Sequence, residues 1–198
     1  LSGLYALVLA TLRTSFFADL APPHRIAFKI DPALVPEITP PRPWREIFVH
    51  TNTLIGVHLR GGPIARGGLR WSDRLDDVRV EVLGLMRTQQ LKNGLIVPVG
   101  AKGGFVLKPG GLSPNEARQL AAEQYRVFVD ALLDLTDDLE PGGAVSPPPG
   151  VVRRDGDDPY LVVAADKGTA HLSDAANEIA TARGFWLGDA FASGGSEG

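Results

Sequence analysis

The sequence predicts an α/β fold, a three-layer sandwich built on a mixed sheet. Apolar, strand-like runs alternate with amphipathic, helix-like segments along 198 residues. Of these residues, 44% are hydrophobic and 22% are charged, a balance typical of a chain that buries a large core. The chain contains no cysteine, which excludes disulfides and thiolate metal sites.

Residues 1–53 are predicted to hold an N-terminal helix and strands that lead into the core. Apolar residues at helical spacing predict a helix over residues 1–19. This segment lacks a basic leader, so we interpret it as an amphipathic helix of a longer chain and not as a signal peptide. RIAFKI (25–30) and REIFVH (45–50) are predicted strands, and Ile26, Phe28 and Ile30 should share one face.

Residues 54–183 are predicted to form the core domain. TLIGVHLR (53–60) is a strand, and Ser72 is expected to cap a helix that ends near Lys92. The predicted buried stripe of that helix consists of Leu75, Val78, Val82, Leu85 and Met86. GLIVPVG (94–100) is a predicted central strand, and FVLKP (105–109) a further short one.

The second half of this domain is predicted to alternate in the same way. Ser113, Pro114 and Glu116 have the spacing of a capping box at a helix start. YLVVAAD (160–166) is a strand that ends at Asp166. Residues 173–183 form a helix that Gly184 closes.

Charge is unevenly distributed. Residues 60–108 carry nine basic and four acidic side chains, whereas residues 109–198 carry six basic and fifteen acidic ones. A cationic middle suits a small anionic ligand. The arginines are not interleaved with aromatic residues, so no nucleic-acid partner is expected. No apolar run reaches the length of a membrane span, and together with the missing cysteines this favours a cytoplasmic location.

Lys102 and Asp166 are the candidate catalytic residues. A lysine that follows an apolar strand should be partly desolvated, which lowers its pKa toward the range of a general base. Asp166 ends an apolar strand, where α/β folds place functional groups, although a turn residue is an open alternative. Gln89 and Lys92 share a helix face, and Lys92 could instead complement the helix dipole. Three glycine pairs indicate either turns or close approach to a ligand: 61–62, 67–68 and 103–104.

Three segments resemble one family. GGPIARGGLRWSDRLDDVRVEVLGLMRTQQLKNGLIVPVGAKGGFVLKP (61–109) is similar to the substrate-domain core of glutamate dehydrogenases, most of all the large NAD-specific bacterial kind. YLVVAADKGTAHLSDAANEIA (160–180) and GFWLGDAFASGGSEG (184–198) resemble the same family. The resemblance implies an amino-acid-dehydrogenase substrate domain that oxidises L-glutamate to 2-oxoglutarate and ammonium with NAD.

The resemblance also implies roles for individual residues. Gly-Ala-Lys-Gly-Gly (100–104) makes Lys102 the catalytic lysine, and Asp166 would move protons to and from the substrate nitrogen. Arg66 stands where smaller members have a lysine for the substrate's side-chain carboxylate. Gln89 and Lys92 would hold the α-carboxylate, although the spacing from Lys92 to Lys102 is two residues shorter than usual. The substrate would fit against four glycines: Gly67, Gly68, Gly103 and Gly104.

The cofactor site is expected outside this chain. No G-x-G-x-x-G fingerprint is present, so NAD would be bound mainly by another domain, and residues 184–198 would begin the connection to it. The resemblance further implies a homo-oligomeric full-length enzyme. The histidines at 24, 50, 58 and 171 show no metal-ligand spacing, so no metal is expected. A non-catalytic anion-binding or oligomerisation module with the same fold remains the alternative.

Overall fold

A nine-stranded mixed sheet organises the molecule. The structure, a computed structural model, describes residues 2–20, 24–93, 99–165 and 170–196, with only the main chain of 90–93, 165 and 170. Its helices are α1 (Ser2–Ala10), α2 (Val78–Asn93), α3 (Pro114–Leu133) and α4 (Ala170–Ala182), with 3-10 turns at Pro32–Leu34 and Gly188–Ala190. None of the described helices has both the length and the apolar content to cross a bilayer.

The strands belong to one large sheet and one small hairpin. The large sheet contains β1 (Thr11–Thr14), β2 (Arg25–Ile30), β3 (Arg45–Thr51), β4 (Leu54–Arg60), β5 (Ala65–Ser72) and β6 (Val99–Leu107). It is completed by β9 (Val152–Arg153), β10 (Val162–Ala165) and β11 (Ala192–Ser193), while β7 (Asp138–Leu139) pairs with β8 (Val145–Ser146).

Strand β6 lies where the direction of pairing changes. The order is β11-β10-β5-β6-β4-β3-β2-β1-β9. Neighbouring strands are parallel in the first part of this order, from β11 to β6. From the pair β6–β4 to the end of the order, neighbouring strands are antiparallel. The predicted mixed sheet is therefore confirmed. Strand β6 is interior, and it overlaps the predicted central strand at residues 99–100 and the predicted short strand at residues 105–107.

Helices cover both faces of the sheet. On one face, α2 packs its buried residues Val78, Val82 and Met86 on β4 and β6. On the other face, α3 and α4 enclose a larger core that includes Phe105 and Phe128. Neighbouring residues of β6 point to opposite cores, because side chains alternate along a strand. The predicted three-layer sandwich is confirmed.

The predicted helix over residues 1–19 is wrong beyond Ala10. The chain becomes strand β1 at Thr11, and Thr14 pairs with Phe28 of β2. Tertiary pairing overrides the helical spacing because Arg13 binds buried carboxylates at this edge of the sheet. Within β2, the more buried face carries Arg25, Ala27 and Lys29, so the apolar alternation located the strand but not its deeply buried face.

Two boundaries around the candidate site also differ from prediction. Helix α2 begins at Val78, while Ser72 ends β5 and Leu75 is 49% exposed. The Ser72 hydroxyl donates to Glu81 at 2.6 Å, which explains a polar residue at this position. Residues 94–98 of the predicted central strand lie outside the described residues. Strand β6 continues through the glycine pair at 103–104, so Lys102 lies within a strand.

Two other helix ends predicted from caps, at Ser113 and Gly184, are confirmed. The Ser113 hydroxyl accepts from the Glu116 amide, and the Glu116 carboxylate accepts from the Ser113 amide at 2.8 Å. Gly184 follows α4 with a φ of 69°, in the left-handed region that glycine adopts without strain. Both caps depend on residues that are close in the sequence, so tertiary contacts do not override them.

Candidate functional site

The pairing of β5 with β6 brings the predicted site residues into adjacent rows. Arg66 lies beside Gly100, and Leu69 lies beside Gly103. The side chains of adjacent residues in parallel strands point the same way. A Cβ at Gly100 would meet the Gln89 side chain of α2 at 3.0 Å. Arg66 therefore belongs to the α2 side of the sheet, and its side chain is exposed.

Lys102 lies on the same side. A Cβ at Gly104, two residues later in β6, would come within 2.7 Å of Val82 in α2. Because side chains alternate along a strand, Lys102 and Gly104 share this face. Lys102 is half-buried, and its ammonium forms no hydrogen bond or ion pair with any other described residue. The ammonium is therefore available to a ligand.

Gly67 is required by the close approach of β5 to β6. A Cβ at this position would lie 1.6 Å from the backbone oxygen of Ala101, a distance that no side chain can occupy. The φ angles of the glycine pairs at 67–68 and 103–104 are not positive. A turn is therefore wrong for both of these pairs, and at Gly67 the close neighbour is the backbone of β6. Close approach of these glycines to a ligand stays a prediction.

Gln89 reaches from α2 to β5. Its amide donates to the backbone oxygen of Arg66 at 3.3 Å. Its carbonyl oxygen is buried and has no hydrogen-bond partner among the described residues. The same oxygen would lie 3.1 Å from a Cβ at Gly67 and 3.0 Å from one at Gly100. Gln89 thus fixes the backbone that carries Arg66 and keeps a free acceptor at the site.

Lys92 and Asp166 are placed less completely. Lys92 belongs to α2, one turn after Gln89, and only its main chain is described. Asp166 lies outside the described residues. Strand β10 ends immediately before it at Ala165, which lies beside Leu69 of β5. The structure therefore brings together Arg66, Gly67, Gly68, Gln89, Lys102 and the glycines that follow Lys102, with β10 as the next strand.

A buried ion-pair network lies along the antiparallel strands β1, β2 and β4, and the sequence patterns did not predict it. Its buried and nearly buried members are three cations and three carboxylates: Arg13, Lys29, Arg60, Asp137, Asp155 and Asp158. The partly exposed Arg153 also contacts Asp137, at 3.3 Å. Arg13 binds Asp137 at 2.7 Å and Asp155 at 2.6 Å. Lys29 bridges Asp155 and Asp158 at 2.6 Å each, and Arg60 also contacts Asp158 at 2.6 Å.

The charges in this network stabilise one another. Burial acts to raise the pKa of Asp158, but Arg60 and Lys29 outweigh that effect and hold the pKa below its usual range. Burial likewise opposes ionisation of Asp155, and Lys29 and Arg13 lower its pKa. The acidic stretch at 155–158 was the one available signal, and its composition is more typical of an exposed turn.

Other polar features lie away from Lys102. A cavity of about 330 Å³ is lined by residues that include His24, Arg25 and His50, and by none of the predicted site residues. No three of the described histidine, aspartate and glutamate side chains come together as metal ligands would.

Comparison with known proteins gives concordant matches. The family described as bacterial NAD-glutamate dehydrogenase, catalytic domain, matches residues 1–198. The NAD-specific glutamate dehydrogenase of Pseudomonas aeruginosa is 57% identical over 197 residues, which are 97% of this chain and 12% of that protein. The protein of the same description from Mycobacterium tuberculosis is 55% identical over 205 residues, covering 98% of this chain and 13% of that protein.

Among solved structures, the glutamate dehydrogenase of Peptoniphilus asaccharolyticus aligns with 75% of this chain and 32% of that one. The identity is 20% and the TM-score is 0.45. The chain spans about an eighth of the length of the curated bacterial relatives that it matches.

Proposed function

Because the chain belongs to the bacterial NAD-glutamate dehydrogenase catalytic-domain family, we propose that it supplies the glutamate-binding and catalytic residues of an NAD-dependent oxidative deamination. The observation that carries this proposal is the half-buried ammonium of Lys102, which has no partner in the described part of the chain and lies on the same side of the sheet as Arg66 and Gln89. Such an arrangement offers two cations and an amide to a small dicarboxylate.

In the proposed binding mode, cationic side chains make the main contacts with the two carboxylates of the substrate. Arg66 is exposed at the start of β5 and can donate two parallel hydrogen bonds to the side-chain carboxylate of glutamate. The second N–H of the Gln89 amide and the ammonium of Lys92, one turn apart at the end of α2, would donate to the α-carboxylate. The glycines at 68, 100 and 104 leave the floor between these groups free of side chains, so the substrate can approach the backbone.

Lys102 and Asp166 are proposed to move protons. Lys102 would deprotonate the water that attacks the iminium carbon and then stabilise charge on the resulting carbinolamine. Asp166, directly after β10, would transfer protons to and from the substrate nitrogen. NAD would accept the hydride from the α-carbon when it is bound.

We assign no NAD-binding residue to this chain. The sequence lacks the glycine fingerprint of a nucleotide-binding turn, and the curated relatives are about eight times longer. We infer that a domain elsewhere in the longer polypeptide holds NAD and that residues 184–198 lead toward it. The homo-oligomeric state and the cytoplasmic location stay predictions.

Lys102→Ala in the full-length polypeptide tests the proposal. We expect the turnover of glutamate-dependent NADH formation to fall by at least about a hundredfold, the lower end for loss of a general base, with smaller changes in the Michaelis constants. Lys108→Ala is the matched control, because Lys108 follows the same strand but its ammonium donates to the backbone oxygen of Thr51. Near-normal turnover of Lys102→Ala would refute the assignment and favour the non-catalytic alternative.

A further inference from the structure

Arg60 connects the strands that carry the proposed catalytic residues. It is the last residue of β4, and its side chain is only 2% exposed. Its guanidinium donates to the backbone oxygen of Pro63, in the turn before β5, and to that of Tyr160 at 2.9 Å, shortly before β10. It also donates to Asp158 at 2.6 Å. One rigid group therefore holds the starts of two parallel strands.

Each of these strands leads to a residue of the proposed site. Strand β5 reaches Arg66 three residues after Pro63, and β10 ends immediately before Asp166. Arg60 itself lies beside Ala101 of β6, the neighbour of Lys102. We infer that Arg60 is a positioning residue, which rests on the proposed function: it sets the spacing of Arg66, Lys102 and the end of β10 without touching the substrate.

The guanidinium is suited to this role, and an ammonium is not. Arginine presents five N–H donors in a fixed plane, so it can reach acceptors in three directions at once. Trp44 lies against this plane, with its ring centroid 5.1 Å from the guanidinium carbon of Arg60. Asp158 balances the buried charge. Lysine would keep the charge but lose the fixed directions of the bonds to Pro63 and Tyr160.

A substitution at Arg13 is the control that separates a positioning role of Arg60 from a general contribution to the stability of the fold. It is equally buried and belongs to the same buried ion-pair network, where it also donates to two backbone oxygens, those of Leu135 and Gly156. It lies in β1, near the opposite edge of the sheet, and none of its contacts involves β5, β6 or β10. Arg13→Lys therefore removes comparable bonds at a place that does not carry the proposed site.

The test compares Arg60→Lys with Arg13→Lys in the full-length polypeptide. We expect Arg60→Lys to raise the KM for glutamate and to lower kcat, each by at least about tenfold, because small displacements of reacting groups are costly. The KM for NAD should stay within about twofold. Arg13→Lys should lower the melting temperature to a similar extent and leave all three constants within about twofold.

Three outcomes would overturn the inference. The first is unchanged kinetics in Arg60→Lys, and the second is an equal loss of activity in both variants. If Arg60→Lys does not fold, Arg60→Gln takes its place in the test. The third outcome is that neither Arg60 variant folds, which would assign Arg60 to the fold alone. Absence of glutamate-dependent NADH formation in the unsubstituted enzyme would instead refute the proposed function, and the inference with it.

Discussion

His58 makes the stability of the core sensitive to acid. Its side chain is fully buried, and neither ring nitrogen has a hydrogen-bond partner among the described residues. Burial, together with the charge of Arg60, lowers the pKa of His58 to about 3, while Asp158 acts in the opposite direction. Its ordinary pKa is 6.5. Between these values the unfolded chain binds more protons, so the free energy of unfolding falls as the pH falls.

The size of the effect follows from this difference in pKa. Each pH unit between the two values costs about 1.4 kcal/mol, so the step from pH 7 to pH 4 should remove about 3 kcal/mol through His58. His58→Leu keeps a similar volume and removes the titrating group. At pH 7 this substitution should cost little, because it takes two unsatisfied ring nitrogens out of the core.

Urea unfolding of the 198-residue chain, followed by circular dichroism from pH 4 to pH 7, measures this effect. The quantity of interest is the free energy of unfolding of His58→Leu minus that of the original chain. This difference should be about 3 kcal/mol larger at pH 4 than at pH 7. His24→Leu, which removes an exposed histidine, is the control. Titration of the buried carboxylates at lower pH affects all three proteins alike. Parallel pH curves for His58→Leu and the original chain would refute the reasoning.

Three further predictions concern the site and one helix. Gly67→Ala should lower the free energy of unfolding, measured in urea, by more than about 2 kcal/mol, because the new Cβ would meet Ala101. Gly84→Ala is the control: it has open space around it and should raise the free energy of unfolding by up to about 1 kcal/mol. Arg66→Ala should cost about 1.5–3 kcal/mol of kcat/KM for glutamate but not for norvaline; equal losses would contradict a carboxylate-binding role. Ser113→Ala should cost about 1 kcal/mol of stability in thermal unfolding, and no change would exclude a contribution from the cap.

Local patterns predicted most of the fold. Alternation located β2, strand-like segments located β3 and β4, and the capping box located the start of α3, because these signals depend on neighbours in the sequence. The failures arose where distant residues decide the structure. Residues 11–14 join the sheet through pairing with β2 and the carboxylates around Arg13, and no helical spacing records those partners.

The candidate site was predicted in part for a similar reason. The glycines around Lys102 and Arg66 were visible in the sequence, but the close contact of Gly67 with the backbone of β6 was not predicted. The continuation of β6 through residues 103–104 was missed because glycine favours turns in isolation. Arg60 was missed entirely, since a buried arginine has no periodic signature and its acceptors include two backbone oxygens and a residue 98 positions away.

The buried ion-pair network also constrains the order of events during synthesis. Arg13 and its acceptor Asp137 are 124 residues apart. At about 5–20 residues per second, roughly 6–25 s pass on the ribosome between the appearance of the two. Strand β9, which covers the outer edge of β1, is made later still. The outer edge of the first strand must therefore stay hydrated until the carboxylates and β9 have emerged, and only then does β1 gain its final partners.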